Sequence, residues 1–149
     1  MADETGGPYL QMACFCEKVL IEQDGVLSII RVIDRIIVTA SGLDSPQEMP
    51  VGQINFPVVI VLKAGFARGS HTLKLVPTSP SGKTLGETSV AVLFEGEDRG
   101  VNVILQVQLP AQEEGLYWFN VMVSDQLLTR IPFRLVYQRL AQGLLPGAR

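Results

Sequence analysis

The sequence predicts an all-β fold, an antiparallel β-sandwich of about eight strands. Three observations lead there. Short apolar runs rich in Val, Ile, Leu and aromatic residues recur from end to end, while helical periodicity is nearly absent. Turn chemistry built on Gly, Pro, Asp and Ser separates the runs. No strand–helix–strand unit appears, so a parallel sheet is not expected.

The runs can be placed in order. Residues 9–22 and 26–40 form two long strands around the turn Gln23-Asp24-Gly25. A loop, 41–53, carries two prolines. Strands follow near 54–64, 71–78 and 87–95, the last with Val90, Val92 and Phe94 on one face. The Pro80-containing stretch 79–82 makes one turn, and 96–100, with glycines at both ends, makes the next break. Residues 101–109 alternate most cleanly. Val101, Val103, Leu105, Val107 and Leu109 face one way, and Asn102, Gln106 and Gln108 the other, as in a half-buried antiparallel strand. The last two strands fall near 115–124 and 127–138. Residues 138–143 are open to a helical turn, and 144–149 should fray. The expected organisation is a flexible terminus at 1–8, one domain over 9–138 and a tail at 139–149.

Composition fits one globular domain. The chain has 149 residues, 47% of them apolar, which excludes general disorder. Its net charge is −3 and its basic residues are scattered, which argues against nucleic acid as a partner. The longest apolar runs, such as 58–62, are far short of the ~20 residues of a spanning helix, so no membrane contact is expected. The N-terminus carries acidic residues where an export signal would be basic, so the expected location is the cytoplasm. Cys14 and Cys16 are two apart. On a strand their spacing, about 6.5–7 Å, is at or beyond the disulfide limit. They read as buried apolar residues. The alternative, a C-x-C metal or redox pair, lacks a second pair of ligands.

The first hairpin has two competing registers. A two-residue Asp24-Gly25 loop sets Lys18 opposite Arg31, a like-charge pair. A three-residue loop, Gln23-Asp24-Gly25 with Gly25 left-handed in a G1 bulge, sets Glu17 opposite Arg31 and gains ~0.2–1 kcal/mol. The second is expected. Both faces of the hairpin are apolar, with Leu10, Met12 and Cys14 on one and Ala13 and Phe15 on the other, so both need a cover. Glu17, Lys18, Arg31, Asp34 and Arg35 interrupt these strands, either as cross-strand ion pairs on a solvated face or as a polar site.

Glu113-Glu114-Gly115-Leu116-Tyr117-Trp118-Phe119 resembles the tyrosine corner of immunoglobulin-like sandwiches, in which a Tyr hydroxyl closes onto backbone a few residues upstream. Phe119 stands where the antibody version has Cys. The other reading is an ordinary strand start with a buried Tyr. Tyr117, Phe119, Val121 and Val123 are expected in the core, against Val101, Val103, Leu105 and Val107. The stretch 16–36, with its early Cys, its Gly-containing turn and its late Ile33-Asp34-Arg35, resembles the opening of a family of small bacterial proteins known only as a domain of unknown function. The resemblance extends through Gly82-Lys83 and the strand at 115–123. It implies a bacterial cytosolic β-sandwich and no particular activity.

Catalytic patterns are missing. His71 is the single His, at a strand start, and reads as a half-exposed strand residue. There is no G-x-S-x-G, no Walker A, no G-x-G-x-x-G, and no set of three or four metal ligands. Two carboxylates can meet in space without a motif, and Glu113, Glu114, Asp44 and Glu95 are the candidates. The 96–100 loop lacks calcium-loop spacing. The expectation is a non-catalytic interaction or structural module, with no cofactor and no metal, partnered by itself as a homo-oligomer or by another protein. Leu10, Met12, Arg31, Asp34 and Arg35 are its candidate contact residues. The alternative is a ligand-binding or enzymatic cleft between loops 41–53 and 96–100.

Overall fold

A computed structural model describes residues 6–97 and 99–140. Nine strands run along them: β1 (Tyr9–Ile21), β2 (Leu27–Ile33), β3 (Arg35–Ser41), β4 (Gly52–Lys63), β5 (Arg68–Thr78), β6 (Thr88–Glu95), β7 (Gly100–Ala111), β8 (Gly115–Val123) and β9 (Gln126–Leu140). They form two sheets, of order β2-β1-β4-β7 and β3-β9-β8-β5-β6. The chain changes sheet between β2 and β3, β3 and β4, β4 and β5, β6 and β7, and β7 and β8, which makes a Greek-key sandwich of the immunoglobulin kind.

Two expectations need correction. The run 26–40 is not one strand. It breaks at Asp34, and its halves join different sheets. The break is anchored, because the Arg134 N–H donates to the Asp34 carbonyl at 2.9 Å. Nor is the sandwich wholly antiparallel: β3 pairs parallel with β9, Arg35 beside Arg134 through Ser41 beside Leu140. β3 reaches β9 by crossing from the other sheet rather than through a hairpin, and that route permits the parallel direction. β9 also continues to Leu140, so residues 138–140 are strand. The rest of the expected tail, 141–149, and residues 1–5 of the expected flexible terminus lie outside the described residues.

The core lies between the sheets. Phe15 and Phe56 come from one sheet and Phe119 and Phe133 from the other. Phe15 meets Phe119 edge-on at 4.8 Å, and Phe56 stacks on Phe133 at 4.7 Å. Tyr117, Phe119, Val121 and Val123 are all buried, as their alternation requires. Of the facing set, Val103 and Val107 are buried, while Val101 and Leu105 are half-buried on the edge strand β7. The tyrosine corner is present: the Tyr117 hydroxyl donates to the Glu113 carbonyl at 2.6 Å.

Prolines inside strands report the edges. Pro57 lies just past Phe15↔Val58, the last pair between β1 and β4. Pro77 lies past Leu75↔Thr88, where β6 ends its pairing with β5, and Pro132 precedes Arg35↔Arg134, where β3 begins to pair with β9. Pro57 and Pro132 stand where their strand has one open side, while at Pro77 the contact on that side is the Leu85 N–H donating to its carbonyl, which needs no N–H from the proline.

Candidate functional site: the β1–β2 arm

Beyond Phe15, β1 leaves β4 and pairs only with β2. Residues 16–33 therefore form a hairpin arm. Its register runs from Ile21↔Leu27 through Lys18↔Ile30 to Cys16↔Val32, which sets Glu17 across from Arg31. The Glu22 N–H donates to the Val26 carbonyl and the Gly25 N–H to the Glu22 carbonyl, closing a three-residue loop with Gly25 at φ 83°. The expected register is the one formed. Arg31 Nε reaches Glu17 Oε2 at 3.1 Å, and both side chains are more than half exposed, so the charges here are a solvated cross-strand pair.

The arm bends at that pair. Arg31 has φ 55°, a left-handed backbone unusual for any residue but glycine. After the bend the arm folds back across the outer face of its own sheet. Gly25, Val26, Leu27 and Ile29 then line a groove of ≈ 550 Å³ with Met12, Val61 and Asn102, a row paired across three strands. Cys16 and Val59, both fully buried, point to this outer face, since their neighbours Phe15, Val58 and Ile60 face the core. The chain itself thus covers residues 10–16 on both faces, with the facing sheet over Ala13 and Phe15 and the folded-back arm beside Met12.

The candidate contact residues do not form one surface. A bulge between Leu10 and Met12 turns Leu10 toward the core, so Leu10 does not share the face of Met12 and Cys14. Met12 lines the groove. Arg31 sits at the bend, exposed. Asp34 and Arg35 are exposed at the change of sheet. What the residue-by-residue reading missed is the set of large aliphatic side chains left in solvent on the arm: Leu20, Ile21, Val26, Ile30 and Val32. They are five of the thirteen large apolar residues exposed among the described residues, and Ile21 and Val32 are about two-thirds exposed, at 68% and 66%.

The cleft between loops 41–53 and 96–100 does not exist. Gly52 pairs with Ala111 and Lys63 with Gly100, so the two loops sit at opposite ends of the twelve-residue β4. At roughly 3.3 Å per residue, that separates them by over 30 Å. Asp98, in the second loop, lies outside the described residues. The candidate carboxylates are each engaged elsewhere or solvated. Glu113 accepts from the Ser81 N–H and hydroxyl, Glu114 from the Tyr137 N–H, and Glu95 pairs with Arg99, while Asp44 is exposed. No group of three His, Cys, Asp or Glu among the described residues could hold a metal. Cys14 and Cys16 are both free thiols. Burial pushes both up, Cys16 further by the neighbouring Cys14, so neither is a ready thiolate. No described helix is long and apolar enough to cross a membrane.

Fold and arm together define a β-sandwich module of the immunoglobulin-like class. Residues 11–136 match the model of a family of unknown function, DUF6941, and the chain belongs to that family. No curated protein matches it in sequence. Among solved structures it is similar to an immunoglobulin-like protein from Pseudomonas aeruginosa, at 14% identity over 89% of this chain and 98% of that one, with a TM-score of 0.45. It is also similar to the CARDB domain of a Pyrococcus furiosus protein, at 11% identity over 91% and 99% of the two chains, with a TM-score of 0.41. A third is a DNA glycosylase from Pseudomonas fluorescens, at 10% identity over 68% of this chain and 27% of that one, with a TM-score of 0.43.

Proposed function

We propose that the domain is a non-catalytic protein-interaction module of the bacterial cytosol, that the β1–β2 arm is its contact element, and that a second copy of the chain is its partner. The observation that carries this reading is the concentration of exposed aliphatic side chains on the arm. A soluble domain gains nothing from holding Ile21, Val26 and Val32 in water unless another surface covers them. The same arm ends the four-stranded sheet, so the outer side of β2 has unpaired backbone groups. An identical β2 offers matching groups about a two-fold axis, the commonest symmetry of homo-oligomers. Two free, protonated thiols suit a reducing compartment.

Sedimentation at micromolar concentration tests the reading. The wild-type chain should run as a dimer, and a chain carrying Ile30→Asp with Val32→Asp should run as a folded monomer. A monomeric wild-type chain would overturn it.

A further inference from the structure

A second cluster of side chains lies at the other sheet, away from the arm. The β8–β9 hairpin closes with two residues, Ser124 and Asp125, between paired Val123 and Gln126. Their φ values, 48° and 64°, are those of a type I′ turn. The Ser124 N–H donates to the Thr72 carbonyl at 3.0 Å, which fastens the turn to β5. With its backbone fixed in this way, the Ser124 Oγ lies 2.8 Å from His71 Nδ1.

The proton positions follow from the other ring nitrogen. His71 Nε2 lies 3.1 Å from the Arg68 carbonyl oxygen. A carbonyl only accepts, so Nε2 carries the ring proton of the neutral imidazole. Nδ1 then presents a lone pair, and the Ser124 hydroxyl is the donor. Phe94 packs edge-on against the imidazole at 5.1 Å and holds the ring plane. A hydroxyl, a base, and a third group orienting that base are the parts of an activated nucleophile. The pair opens into a surface depression of ≈ 340 Å³, lined also by Ser70, Thr72, Lys74 and Asp125. Lys74 Nζ and Asp125 Oδ1 are 3.3 Å apart.

We propose that Ser124 is a covalent acceptor site, whose hydroxyl, deprotonated by His71, takes an acyl group from an activated carboxylic ester. The Oγ–C bond forms as the ester C–O bond breaks. The Oγ proton passes to Nδ1 and then to the departing oxygen, leaving a serine ester and a free alcohol. The Ser124 N–H is committed to Thr72 and cannot help hold an oxyanion. The site therefore accepts slowly and once, which is compatible with a chain that works by contact.

The probe is p-nitrophenyl acetate, read by intact mass and peptide mapping of the full chain. A single acetyl group should appear on Ser124 and be missing in Ser124→Gly, which keeps the left-handed turn. His71→Gln should slow acetylation at Ser124 by roughly 10²-fold or more, the usual contribution of a general base. Melting curves check that both variants fold. Acetylation found only on lysines, or a Ser124 rate unchanged by His71→Gln, would overturn the proposal.

Discussion

The space between the sheets and the β1–β2 arm are both rich in apolar side chains, and they treat them in opposite ways. Between the sheets, four Phe rings drawn from β1, β4, β8 and β9 touch one another and are shut from water. On the arm, aliphatic side chains of comparable number stand in solvent. The difference lies in pairing. β1 has β4 beside it only as far as Phe15, and beyond that point its neighbour is β2 alone. A two-stranded ribbon has no second layer to bury its faces, and isolated hairpins are marginal in water. The arm keeps its shape by folding back on the sheet and still has apolar surface left over. Apolar content therefore marks the core in one region and a contact surface in the other.

This contrast sets an order of expected effects. Phe119→Ala removes a ring that touches Phe15, Phe56 and Phe133, and should cost roughly 3–5 kcal/mol in a urea titration, a large part of a typical domain's stability. An unchanged midpoint would remove Phe119 from the core. Tyr117→Phe keeps the buried ring but loses the hydrogen bond to the Glu113 carbonyl, and about 1 kcal/mol should go with it. On the arm, Gly25→Ala should cost about 1 kcal/mol as well, for a different reason. A Cβ there meets nothing within 4 Å, so the whole penalty is the left-handed backbone. Glu17→Gln should change the midpoint by less than about 0.5 kcal/mol, because its partner Arg31 is well exposed. A large effect of that substitution would mean the ion pair holds the bend. The thiols give a pH signature. Their folded values are raised, so the stability they contribute is present below the ordinary thiol range and is lost as pH rises through it. Melting temperatures measured from neutral to alkaline pH should fall in wild type and fall less in Cys16→Ala.

Much of this was legible in the residues. Alternation in 101–109 and 115–123 located two strands and the faces they bury, and the Glu113–Tyr117 spacing located the corner. Charge opposition between Glu17 and Arg31 chose the hairpin register correctly, because cross-strand pairs respond to register directly. Three things were not legible. The break at Asp34 is hidden because an apolar run reads alike whether its halves serve one sheet or two. The bulge after Leu10 shifts parity, and a period-two pattern cannot announce the place where it slips. His71 and Ser124 are 53 positions apart, joined only by the β5–β8 pairing that ends at Leu73↔Val123. Their meeting is a property of register that no local motif carries. One usable signal was present and unread: Pro57 and Pro132 each forecast an open strand side.

The parallel pairing of β3 with β9 has a consequence for how the molecule is made. Arg35 waits for Arg134, and Ser41 for Leu140, so a strand from the first third of the chain lacks its neighbour until the last third has been synthesised. At about 5–20 residues per second on the ribosome, that interval is several seconds, long compared with the collapse of a nascent hairpin. During it, β1, β2 and β4 can already assemble through local antiparallel contacts, while the apolar 35–41 segment remains unpaired. The sandwich is thus a fold that closes on β9, and the nascent chain is most exposed to mispairing just before β9 emerges.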